Sequence, residues 1–254
     1  MITILSPAKT LDFEKGRQVK KHTLPDFRDE AKGLVENLRQ YSVDELMDLM
    51  NVSRDIAELN YQRFIGFSDH YTKENARQAV LAFRGEVYRG LDADSLSEKS
   101  LDYAQDHLRI LSGMYGVLKP LDYLQAYRLE MGTSLDNNKG KDLYVFWGDK
   151  ITENLNNVLK KQKEKVLVNL ASKEYFKAVK PKKIEGRIVT PVFKESKGDS
   201  YRVIAVYAKK ARGLMTRFII QNSIEQPDDL KAFDLEGYMY NEQLSKEEEL
   251  VFTR

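Results

Sequence analysis

Three β-type runs in the last third of the chain constrain its fold most: Val166-Leu-Val-Asn-Leu170, Ile188-Val-Thr-Pro-Val-Phe193 and Tyr201-Arg-Val-Ile-Ala-Val-Tyr207. The first and third pass at once into helical sequence, and a strand running straight into a helix is the unit from which parallel sheets with covering helices are built. The helix after the first run opens on Ser172 as its cap, with Lys173, Lys177 and Lys180 at i, i+4, i+7 along one face. The helix after the third spans 208–222, with Lys209, Arg212 and Thr216 on one stripe and Leu214, Phe218 and Ile219 turned inward. A further strand, Ile2-Thr-Ile-Leu5, starts the chain and is stopped by Ser6-Pro7, because proline has no N–H for a sheet ladder.

Helical spacing dominates before that. Leu34, Leu38, Leu46 and Leu49 predict two helices within 26–50, and Ile56, Leu59 and Phe64 a third over 53–67. Thr72 with Asn75 caps a helix over 74–83, and Ser100 opens one over 100–111 on which Leu101, Ala104, Leu108 and Leu111 repeat. Pro120 suits the first turn of another, residues 127–131 and 143–147 read as strands or extended segments, and Asp149 caps a helix carrying Ile151, Leu155, Val158 and Leu159. Residues 250–253 read as an edge strand. With no internal repeat or low-complexity linker, the expectation is a single mixed α/β domain over 1–254, with a helical N-terminal third and a β-sheet core.

The formal charge of +2 conceals a strong polarity. Residues 160–217 hold 17 Lys and Arg against 5 Asp and Glu, a net +12, so the stretches before and after it carry −4 and −6. Cations follow three strand ends: Lys9 after the first strand, Lys173 after 166–170, and Lys209 with Lys210 after 201–207. If those strands lie parallel and side by side, their carboxyl ends open on one crevice, where open α/β sheets bind ligands and helix N-termini add backbone N–H donors for phosphate. The competing expectation is that these lysines are unrelated, solvated surface groups. Leu108-Arg-Ile-Leu-Ser-Gly-Met-Tyr-Gly-Val-Leu-Lys-Pro-Leu121 has the outline of a helix-hairpin-helix, whose backbone N–H groups contact phosphate without reading bases, although its glycines stand three apart instead of two.

Other chemistries are poorly supported. The chain has no cysteine, which excludes disulfides, thiolate metal sites and cysteine nucleophiles. His22, His70 and His107 show no metal-ligand spacing, so neither a metal nor another cofactor is expected. Ser6 and Ser172 lack an adjacent base, while Glu130, Asp149 and Glu174 beside cations keep an acid–base enzyme open as the alternative. Asp149 and Glu174 equally suit a plain first helical turn. No apolar run approaches the roughly 20 residues of a membrane span, so no membrane partner is expected and a cytoplasmic location follows. The oligomeric state is left open.

With these blocks on the page, the chain resembles the peroxide stress protein YaaA family almost end to end. The likeness is carried by Ile4-Leu-Ser-Pro-Ala-Lys-Thr-Leu-Asp-Phe13, the 108–122 block, Tyr127-Arg-Leu-Glu-Met-Gly132, Phe146-Trp-Gly-Asp149, Asn169-Leu-Ala-Ser-Lys-Glu-Tyr-Phe176 and Tyr207-Ala-Lys-Lys-Ala-Arg-Gly-Leu-Met215. The resemblance implies a cytoplasmic role in the hydrogen peroxide response that limits damage by free intracellular iron. It also implies DNA binding, mainly to backbone phosphates, through a positively charged cleft and a helix-hairpin-helix. The hairpin then falls on Arg109, Gly113, Gly116 and Lys119, and the cleft on Lys9, Lys173, Lys177, Lys209, Lys210 and Arg212. A DNA-binding role without catalysis is the leading expectation, and an enzyme acting on a phosphorylated small molecule or nucleotide in the same cleft is the alternative.

Overall fold

In the computed structural model, which describes residues 1–14, 16–198 and 200–254, strand β1 (Ile2–Leu5) is wholly buried near the middle of an eight-stranded sheet. Short β2 (Thr10–Leu11) follows, then α1 (Arg28–Leu38), α2 (Val43–Met50) and α3 (Arg54–Ile65), as the leucine spacing predicts. Ser42 and Glu45 form a reciprocal capping box at the start of α2. Next come β3 (Ala76–Gln78), one-turn α4 (Ala79–Ala82), β4 (Phe83–Arg84), α5 (Glu86–Leu91) and α6 (Glu98–His107). Strands β5 (Leu108–Ser112), β6 (Gly116–Leu118) and β7 (Tyr123–Gln125) precede α7 (Leu143–Trp147) and α8 (Lys150–Leu159). The last third supplies β8 (Val166–Leu170), α9 (Lys173–Phe176), β9 (Arg187–Lys197), β10 (Ser200–Arg202), α10 (Ala205–Asn222), β11 (Met239–Tyr240) and β12 (Glu249–Thr253).

The main sheet runs β11-β12-β9-β8-β1-β5-β6, with β10 paired to β9. The five strands from β12 to β5 are mutually parallel, and antiparallel β11, β6 and β10 finish its borders. All residues of β1, β5 and β8 are buried, as parallel strands covered on both faces require. Pro191 is tolerated inside β9 because the pairing with β8 ends at Val189, so no β8 carbonyl waits for its missing N–H. The fold is mixed α/β with one hydrophobic core, as expected from the sequence.

Several local expectations fail. The helix over 100–111 is cut at His107, since Leu108 is extended (φ −115°, ψ 141°) and joins β1 in the sheet. Its continuation is β5, so 108–118 is a buried antiparallel β-hairpin and not a helix-hairpin-helix, and no helix follows Pro120. Residues 76–78 leave the predicted 74–83 helix to pair with β7, where Gln78 Nε2 donates to the carbonyls of Val19 (2.7 Å) and Lys21 (2.9 Å) and satisfies the aperiodic N-terminal loop. Residues 143–147 are helical, capped by the Asp142 carboxylate on Val145 N–H (2.8 Å) and stopped by Gly148 at φ +52°. The 201–207 run is strand only to Arg202 and enters α10 at Ala205, and β12 lies one strand in from the border.

Candidate functional site

The carboxyl ends of β1 and β8 lie side by side, in register from Ile2↔Leu167 to Leu5↔Leu170. The chain leaves β1 towards β5 on one side and returns to β8 on the other, so this pair is the point where strand order reverses. Here Ser6 Oγ accepts from the Ser172 N–H (2.8 Å) and lies 3.2 Å from Ser172 Oγ, tying the two strand ends together. A cavity of about 360 Å³ opens over them. It is floored by Ser6–Thr10, Leu170 and Ser172, and walled by 84–88, 127–130, Glu174, Tyr175, Lys209 and Arg212.

Both signs of charge face this space. Glu130 is held by Lys9 (2.9 Å) and Arg128 (3.1 Å), and Glu174 Oε1 accepts from the Gly132 N–H (2.9 Å). The Arg128 Nε–H is buried without a hydrogen-bond partner among the described residues. Among the described residues neither Lys209 nor Arg212 has an ion pair or side-chain hydrogen bond, and burial pushes the Arg212 guanidinium below its usual range. A half-buried guanidinium without a counter-ion is costly unless an anion joins it. Burial pushes the phenols of Tyr88, Tyr127 and Tyr175 up, so they stay protonated, and Tyr88 donates to the Ser6 carbonyl (3.0 Å).

The structure thus gathers Lys9, Lys209, Arg212, Glu130 and Glu174 of the sequence-predicted residues around one cavity. Lys173 on α9 and Lys177 at its C-terminal cap are exposed and do not line the cavity; Lys173 stands between Ser172 and Glu174, which do, and Lys177 lies 4.3 Å over the Tyr144 ring. Lys210 turns away to pair with Glu236, and Asp149 is held by Lys180 and Lys183 (2.8 Å each) without a side-chain cap bond. The expected helix-dipole contribution is not formed at these positions. Helix α9 is a single turn, and Lys209 falls in the second turn of α10. Thr216 is also not on an outward stripe: it is fully buried, its hydroxyl donating to the Arg212 carbonyl (2.8 Å).

The proposed hairpin residues lie elsewhere. Arg109 is 6% exposed, donates to the carbonyls of Gln105 (2.9 Å) and Leu108 (2.6 Å), and borders a cavity at Met1, the opposite end of β1. Gly113 and Gly116 are both buried and so are not presented to a phosphate: the Gly113 carbonyl accepts from Trp147 Nε1 (2.9 Å), and Gly116, at φ +64°, lies under the Trp147 ring. Lys119 is paired with Asp26 (2.7 Å), and its N–H donates to Asp122 (2.8 Å). Burial pushes Asp122 up to about 6, partly offset by bonds from Thr23 and Lys119. A carboxyl that keeps its proton longer when folded favours folding below its unfolded value near 3.8, and that contribution is lost as pH rises through 6. Wild type should therefore lose up to about 3 kcal/mol relative to Asp122→Asn between pH 4 and 7 in urea titrations, and a constant difference would refute this.

Arg84, Glu86 and Tyr88 line the cavity without a sequence signal of their own, and Arg128 and Tyr175 stand in the sequence only as members of the family-like blocks. Ser6 has no base adjacent in sequence that would make it a nucleophile, and its hydroxyl ties the two strand ends together. The block Tyr127-Arg-Leu-Glu-Met131 was the available signal, because an extended segment with alternating polar residues beside a strand end presents those residues to one side. Among the described residues no group of three or more His, Asp or Glu side chains is placed to hold a metal ion, and no helix is long and apolar enough to cross a membrane. The family described as peroxide stress protein YaaA matches residues 1–244.

Proposed function

The chain belongs to the peroxide stress protein YaaA family, and from that premise we propose that it binds DNA by holding backbone phosphates at the rim of the β1–β8 cavity. In this reading it acts in the response to hydrogen peroxide, the part that the family likeness supports, and there limits the damage done by free intracellular iron. The observation that carries the DNA reading is that Lys209 and Arg212 face the cavity with no counter-ion among the described residues, while Lys173 and Lys177 stand exposed on the segment that follows Ser172 of its lining. Unpaired cations grouped around one opening suit a polyanion, and contacts confined to phosphate carry little base specificity.

Four such contacts imply a slope near −3.6 for log affinity against log salt, hence about a hundredfold loss of affinity between 50 and 200 mM salt. Fluorescence anisotropy with two unrelated duplexes should show that loss equally for both. No binding at the lower salt would discard the reading.

A second reading, an enzyme acting on a nucleotide or other phosphorylated small molecule, is favoured by the cavity volume and by Glu130 and Glu174 facing it beside cations. Asp149 has no part in it. It expects wild type, and not Glu130→Gln, to convert a nucleoside monophosphate on prolonged incubation. An unchanged nucleotide pool rejects it.

A further inference from the structure

Two features beside the rim lysines remain unexplained by phosphate contact alone. The first is the size of the cavity: a cube of 360 Å³ is roughly 7 Å on a side, whereas the major groove of a duplex alone is ~12 Å wide. A duplex stays outside, yet the volume lies in the range of sites that enclose one small molecule. The second is an apolar turn left in solvent where β10 passes into α10. Val203 (56% exposed), Ile204 (36%) and Val206 (48%) stand uncovered there, in a chain that buries most of its other aliphatic side chains. Val206 precedes Lys209 by three residues on α10, so it shares the helix face that reaches the cavity.

An apolar side chain beside cations and next to a nucleotide-sized hole matches a particular way of handling DNA. Proteins that bend or open duplexes press apolar residues between base steps, and proteins that inspect a base turn it out of the stack into an enclosing pocket. We propose that the β1–β8 cavity receives one nucleotide turned out of a duplex, with the Val203–Val206 turn pressed into the stack beside it. The proposal rests on the DNA-binding reading. Lys209 and Arg212 then face the phosphate of the extruded nucleotide, and the unpartnered Arg128 Nε–H and the carboxylates of Glu130 and Glu174 face its base, whose ring and exocyclic groups offer acceptors and N–H donors. Extrusion is easiest for a mispaired or damaged base, so occupancy favours damaged over intact DNA. That preference suits a protein of the peroxide response, since radical damage creates such bases.

The test uses the full chain and a short duplex with one 2-aminopurine, paired or mispaired, read by anisotropy for binding and by fluorescence for unstacking in the same sample. The expected result is a several-fold fluorescence rise at saturation and binding about tenfold or more tighter to the mispaired duplex. Val206→Ser, checked for folding by its melting curve, should lose most of the rise at protein concentrations that saturate anisotropy. Binding with flat fluorescence and equal affinity for both duplexes overturns this inference and leaves the DNA reading standing, whereas no anisotropy change at low salt overturns both. A dimer held together by the Val203–Val206 turn and dispersed by Val206→Ser would overturn it as well.

Discussion

Replacing Gly213 by alanine is expected to destabilise the protein by about 3 kcal/mol or more, although alanine is the better helix former by ~1 kcal/mol. A Cβ at Gly213 would lie 1.8 Å from the Val87 carbonyl oxygen and 2.8 Å from the Leu91 nitrogen, both backbone atoms of α5 that cannot turn aside. The contact is reciprocal, because a Cβ at Gly90 would come within 2.2 Å of the Lys210 carbonyl oxygen on α10. Helices α5 and α10 therefore cross with their backbones touching, and only glycine at both positions allows it. The crossing also sets the site: α5 brings Val87 and Tyr88 to the cavity and α10 brings Lys209 and Arg212. Gly33 in α1 is the control, since a Cβ there meets nothing within 4 Å and Gly33→Ala should stabilise by up to ~1 kcal/mol. Urea denaturation of both variants checks the opposite signs. Equal stability of the two would refute the close crossing.

The sequence carried the parts of this fold that depend on one segment at a time. Strand β1 is legible because Ser6-Pro7 ends it, and α1 to α3 because their leucines repeat on one face over several turns. What misled was local pattern where a distant partner decides. Leu108 and Leu111 continue the helical spacing of Leu101 and Ala104, yet parallel pairing with β1 takes them into the sheet. Residues 203–207 are rich in β-branched side chains, but α10 is set by Ala208, Ala211, Met215 and Ile219 burying against the core, a term larger than per-residue preferences of less than ~1 kcal/mol. Residues 143–147 were misread although Asp142 and Gly148 bracket them as cap and stop.

The site divides in the same way. Lys9, Lys209 and Arg212 were legible as cations that follow strand-like runs, and the parallel neighbourhood of β1 and β8 puts the first of them beside the cavity. Tyr88 and Arg128 were not, because they arrive from α5 and an extended segment whose positions depend on the helix crossing and on the β5–β6 hairpin. The glycines of that hairpin carry packing, against Leu129 and Trp147, and not ligand contact.

The second large effect concerns the rim. Lys173, Lys177 and Lys209 are exposed, and among the described residues none has an ion pair with a carboxylate, so their truncation removes charge with little cost to the fold. Removing one phosphate-binding cation lowers the salt slope by about 0.9, so the Lys173→Ala, Lys177→Ala, Lys209→Ala variant should show a slope near −0.9 in place of about −3.6. Its affinity at 50 mM salt should fall at least about a hundredfold, alike for every duplex sequence, while its melting temperature stays close to wild type. The deciding measurement is this pair of log–log salt series, wild type beside the triple variant on one duplex. A slope that collapses in the variant is what phosphate binding at the cavity rim predicts. A slope and affinity that match wild type would contradict it.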